Sequence, residues 1–274
     1  FISKSLPGRH WYRRGFFIPH HYAPATLAVA GDGYPALVPL FSSAEPALRQ
    51  VFDAVDGCAS ALLAIAEDAA PAPAPRFRQD WFPRLDAAAA YALVCSRRPA
   101  RLVEVGCGHS TRWFARAVAD GGLATLLTAL DPRPRASLAG LPVTFIRTPL
   151  QRAGGGPFDA LAAGDILSLD GSHILMPGTD VDIALNRVLP RLPAGVLVHV
   201  HDIFLPDPYP LRWAWRGYNE QQAIAAMLAG GGWRILWSSH WAATRMADRL
   251  TRSVAARLPL LPGAFEASLW LEKR

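Results

Sequence analysis

The chain has 274 residues, of which 51% are hydrophobic, and its formal net charge is +6 at neutral pH. This length fits one large domain, or one domain with an extension, and the apolar fraction is sufficient for a core. No run of about 18 uncharged apolar residues occurs, and no charged-then-apolar leader is present, so we expect neither a membrane-spanning helix nor a signal peptide.

The positive charges are scattered along the chain, and nearly all of them are arginines; Lys4 and Lys273 are the only lysines. Nucleic-acid-binding domains cluster their basic residues, so this scatter argues against a nucleic-acid partner. The three cysteines, Cys58, Cys95 and Cys107, have neither metal-type nor disulfide-type spacing. We therefore expect a reducing, cytoplasmic location.

The N-terminal part of the chain is predicted to form a helical extension. Residues 1–42 are irregular and rich in aromatic residues and proline. Apolar residues then repeat at spacings of three and four, which predicts one long helix over 43–68. Alternating alanine and proline over 69–75 favours an extended, semi-rigid linker. We place the domain boundary at residue 75, so the main domain covers 76–274.

The main domain alternates predicted strands with predicted helices, a pattern that favours an α/β fold with a parallel sheet. An alanine-rich helix over 84–96 precedes the first strand. The predicted strands cover 102–105, 126–130, 143–146, 166–169, 196–200, 234–237 and 267–272, and the predicted helices between them cover 111–119, 181–189 and 220–228.

The segment 101–112 combines a buried strand, a glycine turn and a helix start. Gly106 and Gly108 permit a sharp turn and a close approach of the backbone to a ligand. A helix opening at Ser110 would direct its free N–H groups toward that ligand. The dinucleotide fingerprint requires a third small residue where this chain has Thr111, and the phosphate-binding GK[ST] loop is absent. These departures disfavour a nicotinamide-dependent oxidoreductase, and a purely structural glycine turn is the alternative.

The E-x-G-x-G spacing of Glu104, Gly106 and Gly108 resembles the first motif of class I S-adenosylmethionine-dependent methyltransferases. The likeness covers residues 80–274 and includes the seven strands. It implies a Rossmann-like, seven-stranded, mostly parallel sheet sandwiched by helices, with the last strand inserted antiparallel beside the fifth. It also implies S-adenosylmethionine as cofactor, held by Glu104, Gly106, Gly108, Ser110, Asp131 and Asp170.

Two acids have specific roles under this resemblance. Asp131 follows the second strand, where a carboxylate accepts hydrogen bonds from both hydroxyls of a ribose. Glu104 is expected near the methionine end of the cofactor. Direct contact with the cofactor and simple ordering of the loop are both open for Glu104.

Polar residues also follow the fourth and fifth strands. Asp170 and His173 come after the fourth strand, and His201 and Asp202 come after the fifth, so adjacent strands would bring them to one rim. Two carboxylates with imidazoles suit either a divalent cation or general base catalysis. This arrangement is similar to that of metal-dependent O-methyltransferases, which implies Asp170, His201 and Asp202 as metal ligands. Because His201 departs from the catechol-type pattern, Mg²⁺, Mn²⁺, Fe²⁺, Zn²⁺ and no metal all stay open.

The predicted reaction is methylation of a small molecule, at oxygen. A hydroxyl with a pKa of about 10 is a poor nucleophile at neutral pH, so a base or a metal must assist it. We assign His173, His201 and Asp202 as the catalytic residues, with the histidines as bases. The chain lacks the Asn/Asp-Pro-Pro-Tyr/Phe signature of amino-directed methylators. The alternatives are an inactive binding protein of the same fold and a nicotinamide-dependent oxidoreductase.

Aromatic segments complete the predicted pocket. The loop 204–215 is expected to form a wall or lid, and the segments 79–82 and 16–22 could add to it. Asn219 is predicted to cap the following helix. The N-terminal extension either covers its own active site or pairs with a second copy in a homo-oligomer.

Overall fold

The computed structural model describes residues 33–67 and 70–274, together with His21, which is exposed. Residues 33–274 form one compact unit. Of the predicted pocket segment 16–22, all residues other than His21 lie outside the described part of the chain. Within that part, no helix is long and apolar enough to cross a membrane.

A seven-stranded sheet with the order β3-β2-β1-β4-β5-β7-β6 forms the centre of the molecule. The neighbouring strands β3, β2, β1, β4 and β5 pair in parallel. Strand β7 is antiparallel to both of its neighbours, β5 and β6. The predicted α/β fold, including the antiparallel insertion of the last strand, is confirmed. The strands are Arg101–Val105 (β1), Leu126–Leu130 (β2), Thr144–Ile146 (β3), Ile166–Leu169 (β4), Leu197–Val200 (β5), Trp233–Ser238 (β6) and Leu269–Lys273 (β7).

The central strands are buried along their whole length, β4 and β5 at every residue. Burial on both faces explains why three of the four residues in each of these two strands are apolar, with no alternation of apolar and polar residues. Helices cover the sheet: Val38–Ser43 (α1), Glu45–Gly57 (α2), Ala59–Glu67 (α3), Arg84–Arg97 (α4), His109–Asp120 (α5), Gly156–Asp159 (α6), Asp180–Ile183 (α7), Glu220–Ala229 (α8), Ser239–Arg245 (α9) and Ala247–Thr251 (α10).

The alanine-rich helix α4 packs between α2 and α5. Its residues from Leu85 to Val94 are all buried, and the small alanine side chains let neighbouring helices approach closely. The helix ends where Arg98 adopts a left-handed conformation and its N–H bonds to the Val94 carbonyl. The predicted helix over 84–96 is therefore confirmed to within one residue.

Three local predictions are wrong in detail. The single helix predicted over 43–68 is instead two helices, α2 and α3, which separate at Cys58, and α1 lies at the end of the segment 1–42 that was predicted to be irregular. Pro46, in the first turn of α2, has no N–H to continue the hydrogen bonds of α1. The predicted linker is not extended throughout: the N–H of Ala74 bonds to the Pro71 carbonyl at 3.0 Å and closes a turn. The helix predicted over 181–189 begins at Asp180 and continues as a π turn and a 3₁₀ turn.

The helices before residue 75 pack onto the sheet. Phe52 of α2 lies edge-on to Trp237 of β6 at 4.8 Å between ring centroids, and Phe41 of α1 stacks on Trp241 at 5.6 Å. Both phenylalanines are fully buried. The predicted boundary at residue 75 stays a prediction about independent folding.

Candidate active site

The glycine turn after β1 is held together by a buried acid. Both carboxylate oxygens of Glu104 accept hydrogen bonds, one from the Ser110 hydroxyl and one from the Thr111 hydroxyl, each at 2.5 Å. The Thr111 oxygen also accepts the N–H of Gly108 at 2.9 Å. Glu104 is fully buried, and burial raises its pKa to about 8. Glu104 and Ser110 therefore order the turn from below, and α5 begins at His109, one residue before the predicted Ser110.

The two glycines of the turn differ in their surroundings. Gly106 has φ of +81°, and a Cβ built on it would lie 1.7 Å from the carbonyl oxygen of Asp170. Its close approach is therefore to the end of β4, whereas the sequence predicted an approach to a ligand. A Cβ on Gly108 would make only ordinary contacts, the nearest at 3.6 Å, and Gly108 lines the cavity described below.

Asp131 connects the end of β2 to the glycine turn. Its carboxylate accepts the N–H of Cys107 at 2.8 Å and the N–H of Arg133 at 2.6 Å. Arg112 stabilises the segment that follows Asp131 by donating a hydrogen bond to the Ser137 carbonyl at 2.9 Å. Asp131 thus lies beside the turn, as its predicted ribose-binding role requires.

The polar residues after β4 and β5 do meet at one point. The Nε2 atom of His173 lies 3.2 Å from Asp170 Oδ1 and 3.4 Å from Asp202 Oδ2. The Nδ1 atom of His201 lies 3.6 Å from the same Asp170 oxygen and 3.4 Å from Asp202 Oδ1. Two imidazoles and two carboxylates therefore face one another, as the sequence predicted.

The outer nitrogen of each histidine is held by a further buried carboxylate. Glu220, the first residue of α8, contacts His173 Nδ1 at 2.9 Å, and Asp86, in the first turn of α4, contacts His201 Nε2 at 3.1 Å. Asp86 also accepts the backbone N–H groups of Ala267 and Ser268. These contacts fix which nitrogen of each ring faces the centre of the cluster.

The carboxylates determine the protonation of the histidines. Burial opposes the charged form of His173, but hydrogen bonds to Asp170 and Glu220 raise its pKa well above 6.5. The charges of Asp170 and Asp202 do the same for His201, so its pKa is also raised well above the ordinary value. Both rings are therefore imidazolium at neutral pH.

Asp170 and Asp202, the two acids that face the histidines, differ in the direction of their pKa shifts. Burial raises the pKa of Asp202. Burial also opposes ionisation of Asp170, but the charge of His201 and a hydrogen bond from His173 outweigh it and hold its pKa far below the ordinary value. Asp170 is thus a permanent anion, and Asp202 is the carboxylate better suited to take up a proton.

Backbone strain also marks the cluster. His173 and Asp202 have φ of +58° and +57°, in the left-handed region that only glycine adopts without cost. Such strain persists where the surroundings hold it and is concentrated at functional sites. Asn219 contributes here: its side chain accepts the Leu175 N–H at 2.6 Å and donates to the Leu175 carbonyl. Asn219 occupies the N-cap position of α8, as predicted, but its side chain makes no capping hydrogen bond there and fixes the His173 loop instead.

The cluster forms one end of a cavity of about 370 Å³. The loop predicted as an aromatic wall does line it, through Arg212, Trp213 and Arg216, and so does the segment Asp80–Phe82. Segment 261–265 closes the side next to Arg212. Arg135, which the sequence did not predict to be part of the pocket, also lines the cavity, and its Cζ atom lies 4.2 Å from the centre of the Trp81 ring.

The donor set of the cluster fits a transition metal better than Mg²⁺, since it joins two carboxylates to two imidazoles whose outer nitrogens are carboxylate-bound. Among the described residues, however, no three such side chains are already arranged as ligands around one point.

Asp86 had no role in the predicted site, because its burial depends on the tertiary structure. The sequence showed only that an acid lies in the first turn of a mostly apolar helix. Glu220, which also had no role in the predicted site, supports His173.

Comparison with known proteins gives a family match. Residues 103–203 match the family described as a methyltransferase domain. No curated protein matches the chain.

Solved structures resemble the chain only distantly. The S-adenosylhomocysteine-bound methyltransferase PaMTH1 of Podospora anserina is 19% identical, with a TM-score of 0.42, over 69% of this chain and 78% of that one. The O-methyltransferase TomG from Streptomyces achromogenes, in complex with S-adenosylmethionine, is 19% identical with a TM-score of 0.37, over 68% and 80%. The plantazolicin methyltransferase BpumL, with a triazolic analog, is 12% identical with a TM-score of 0.40, over 84% and 99%.

Proposed function

We propose that this chain is a class I S-adenosylmethionine-dependent methyltransferase and that it transfers the methyl group to an oxygen atom of a small molecule. The match of residues 103–203 to a methyltransferase domain and the sheet order support the enzyme class. The cluster of Asp170, His173, His201 and Asp202 carries the choice of oxygen, because a hydroxyl needs a proton acceptor beside it before it attacks.

The cofactor supplies an activated methyl group on a sulfonium centre. In the transfer, the acceptor oxygen forms the new bond to the methyl carbon, the bond from sulfur to that carbon breaks, and S-adenosylhomocysteine leaves. The hydroxyl proton passes to Asp202, whose pKa burial raises. His173 and His201 were predicted as bases; as imidazolium groups they instead orient the two carboxylates.

The cofactor is held at the glycine turn in this proposal. Gly108 and Ser110 face the methionine end, and Glu104 orders both from beneath. Asp131 binds the ribose hydroxyls, and its present contact with the Cys107 N–H holds it beside the turn. Asp170 directs its permanent negative charge toward the sulfonium end of the cavity.

A divalent metal is an alternative to the imidazolium cluster, because metal ligands must be deprotonated. Asp170, His201 and Asp202 would hold it, with His173 as a fourth donor that the predicted set lacked, and both histidines would then be neutral. A bound metal would lower the pKa of an acceptor hydroxyl. Metal content of the purified protein by elemental analysis, before and after dialysis against chelator, tests this: less than about 0.1 equivalent after reloading with Mn²⁺, Fe²⁺ or Zn²⁺ excludes it.

Calorimetry tests the enzyme class and the ribose contact together. We expect S-adenosylmethionine and S-adenosylhomocysteine to bind and NAD to give no heat. Asp131→Asn should weaken S-adenosylhomocysteine binding about tenfold, since it removes a charged acceptor. Asp159→Asn, an exposed acid outside the cavity, is the control. No heat with either sulfur compound would overturn the methyltransferase proposal, and heat with NAD alone would favour the oxidoreductase.

Asp202→Asn separates a methyltransferase from an inactive binding protein of the same fold. Asparagine tolerates the left-handed backbone at this position, so the variant should fold. We expect S-adenosylhomocysteine affinity within about threefold of the unchanged protein and turnover at least about 100-fold lower. Unchanged turnover would remove Asp202 as the proton acceptor.

A further inference from the structure

The side of the cavity next to Asp202 is a wall of arginines stacked on aromatic rings. The Cζ atom of Arg212 lies 3.7 Å from the centre of the Phe265 ring. The Cζ atom of Arg216 lies 4.0 Å from the Trp213 ring and 5.3 Å from the Tyr218 ring. Stacking holds the guanidinium planes in place and leaves their N–H edges free for a ligand.

The rings themselves are fixed by one another. Phe204, fully buried behind the wall, meets Trp213 and Phe265 edge-on at 5.1 and 5.5 Å. Trp213 and Phe265 meet each other at 5.4 Å. The arginine-bearing wall is therefore preorganised, which reduces the entropy that ligand binding would cost.

The two arginines have unused hydrogen-bonding capacity. Arg216 Nη1 donates to the Tyr218 hydroxyl at 3.2 Å, but its buried Nε has no partner. Arg212 donates to the Gly263 carbonyl and forms no ion pair with any carboxylate in the described part of the chain. A guanidinium has five N–H donors, and each of these two arginines, which line the cavity, uses one of them in a hydrogen bond within the described part of the chain.

Protein carboxylates do not satisfy this wall. The nearest, Asp202, is 3.9 Å from Arg216 Nη1, and both of its oxygens already face His173 and His201. Asp170 is likewise occupied by the two histidines. Arg212 is exposed, so water solvates its positive charge, and a ligand that enters the cavity can accept hydrogen bonds from its free N–H groups.

We infer that the methyl acceptor is a planar aromatic molecule bearing a carboxylate, and that Arg212 and Arg216 determine this specificity. The carboxylate accepts hydrogen bonds from free N–H groups of the two guanidiniums, and the ring lies in the cavity beside Trp213 and Phe265, on which the arginines stack. The reacting hydroxyl, at the other end of the ring, is directed toward Asp202. This inference rests on the proposed methyltransferase function and names its substrate class.

The test compares 3,4-dihydroxybenzoate with 3,4-dihydroxybenzamide, which has nearly the same shape but no charge. Binding of each is measured by calorimetry to the full chain saturated with S-adenosylhomocysteine. We expect the acid to bind about tenfold more tightly than the amide. Arg212→Met with Arg216→Met should abolish that preference, and Arg257→Met, outside the cavity, should preserve it.

The outcomes separate the two proposals. Equal affinity for acid and amide, or binding of neither while S-adenosylhomocysteine still binds, overturns the acceptor inference alone. If the arginine variants weaken S-adenosylhomocysteine binding and leave the ratio of acid to amide affinity unchanged, the wall binds the carboxylate of the cofactor and the inference is wrong. Failure of the unchanged chain to bind S-adenosylhomocysteine overturns the proposed function and this inference with it.

Discussion

Two glycines two positions apart in the turn after β1 have separate reasons to be glycine. Gly106 combines a left-handed backbone with the close approach to the Asp170 carbonyl, so Gly106→Ala should cost about 3 kcal/mol or more of unfolding free energy. Gly108→Ala meets only ordinary contacts, so stability should change by about 1 kcal/mol or less, while S-adenosylhomocysteine affinity falls about tenfold. Urea unfolding and calorimetry on both variants check this, and equal stability losses would contradict it.

Glu104 makes the stability of the protein depend on pH. Burial raises the pKa of Glu104 from 4.5 to about 8 in the folded state. The contribution of this residue to the unfolding free energy is therefore complete below pH 4.5 and is lost as pH rises through about 8. Between these values the unfolding free energy should fall by up to about 1.4 kcal/mol per pH unit.

Glu104→Gln provides the comparison, because glutamine keeps the shape and does not titrate. We expect the variant to gain stability relative to the unchanged protein as pH rises from 5 to 8, measured by urea unfolding at several pH values. A difference between the two proteins that stays constant over this range would show that Glu104 ionises normally.

At the level of elements, the strands were predictable and the joints between helices were not. Buried strands such as β4 and β5 are mostly apolar, and polar residues that identify the candidate site follow their ends. The breaks at α1 to α3 depend on local hydrogen bonding around Pro46 and Cys58, which apolar periodicity does not report. The alternation of alanine and proline likewise gave no indication of the turn at 71–74.

The start of α4 is clamped to the segment before β7 by a buried ion pair. Arg84 donates two hydrogen bonds to Glu266 at 2.9 and 2.8 Å, and Glu266 also accepts the Leu85 N–H. Arg84→Met leaves Glu266 buried without its cation, so we expect a loss of about 3 kcal/mol.

A double variant measures how much of the stability lost in Arg84→Met comes from the interaction between Arg84 and Glu266. Arg84→Met with Glu266→Gln should be more stable than the sum of the two single effects implies, by at least about 1 kcal/mol. The exposed pair Arg191–Asp159 is the control, and Arg191→Met should cost about 0.5 kcal/mol or less. Equal costs at both pairs, in urea unfolding, would contradict the argument.

At the scale of the whole molecule, the sequence predicts that the candidate site residues meet on one rim, but it does not predict the residues that support them. Asp170, His173, His201 and Asp202 follow strands, so strand adjacency predicts their meeting. Asp86 reaches His201 from 115 positions earlier in the chain, and Arg212 meets Phe265 from a distant loop. Such contacts depend on how helices and loops pack over the sheet, which no local pattern encodes.

The same packing bears on the boundary predicted at residue 75. Phe52 of α2 is fully buried against Trp237 of β6, so the helices before the boundary share a core with the sheet. Phe52→Ala should cost about 3–5 kcal/mol through lost burial and the cavity that remains. We expect the variant to unfold in one transition, with far-UV circular dichroism and tryptophan fluorescence coincident. Two separate transitions, with the sheet surviving the loss of the N-terminal helices, would instead support an independent extension ending near residue 75.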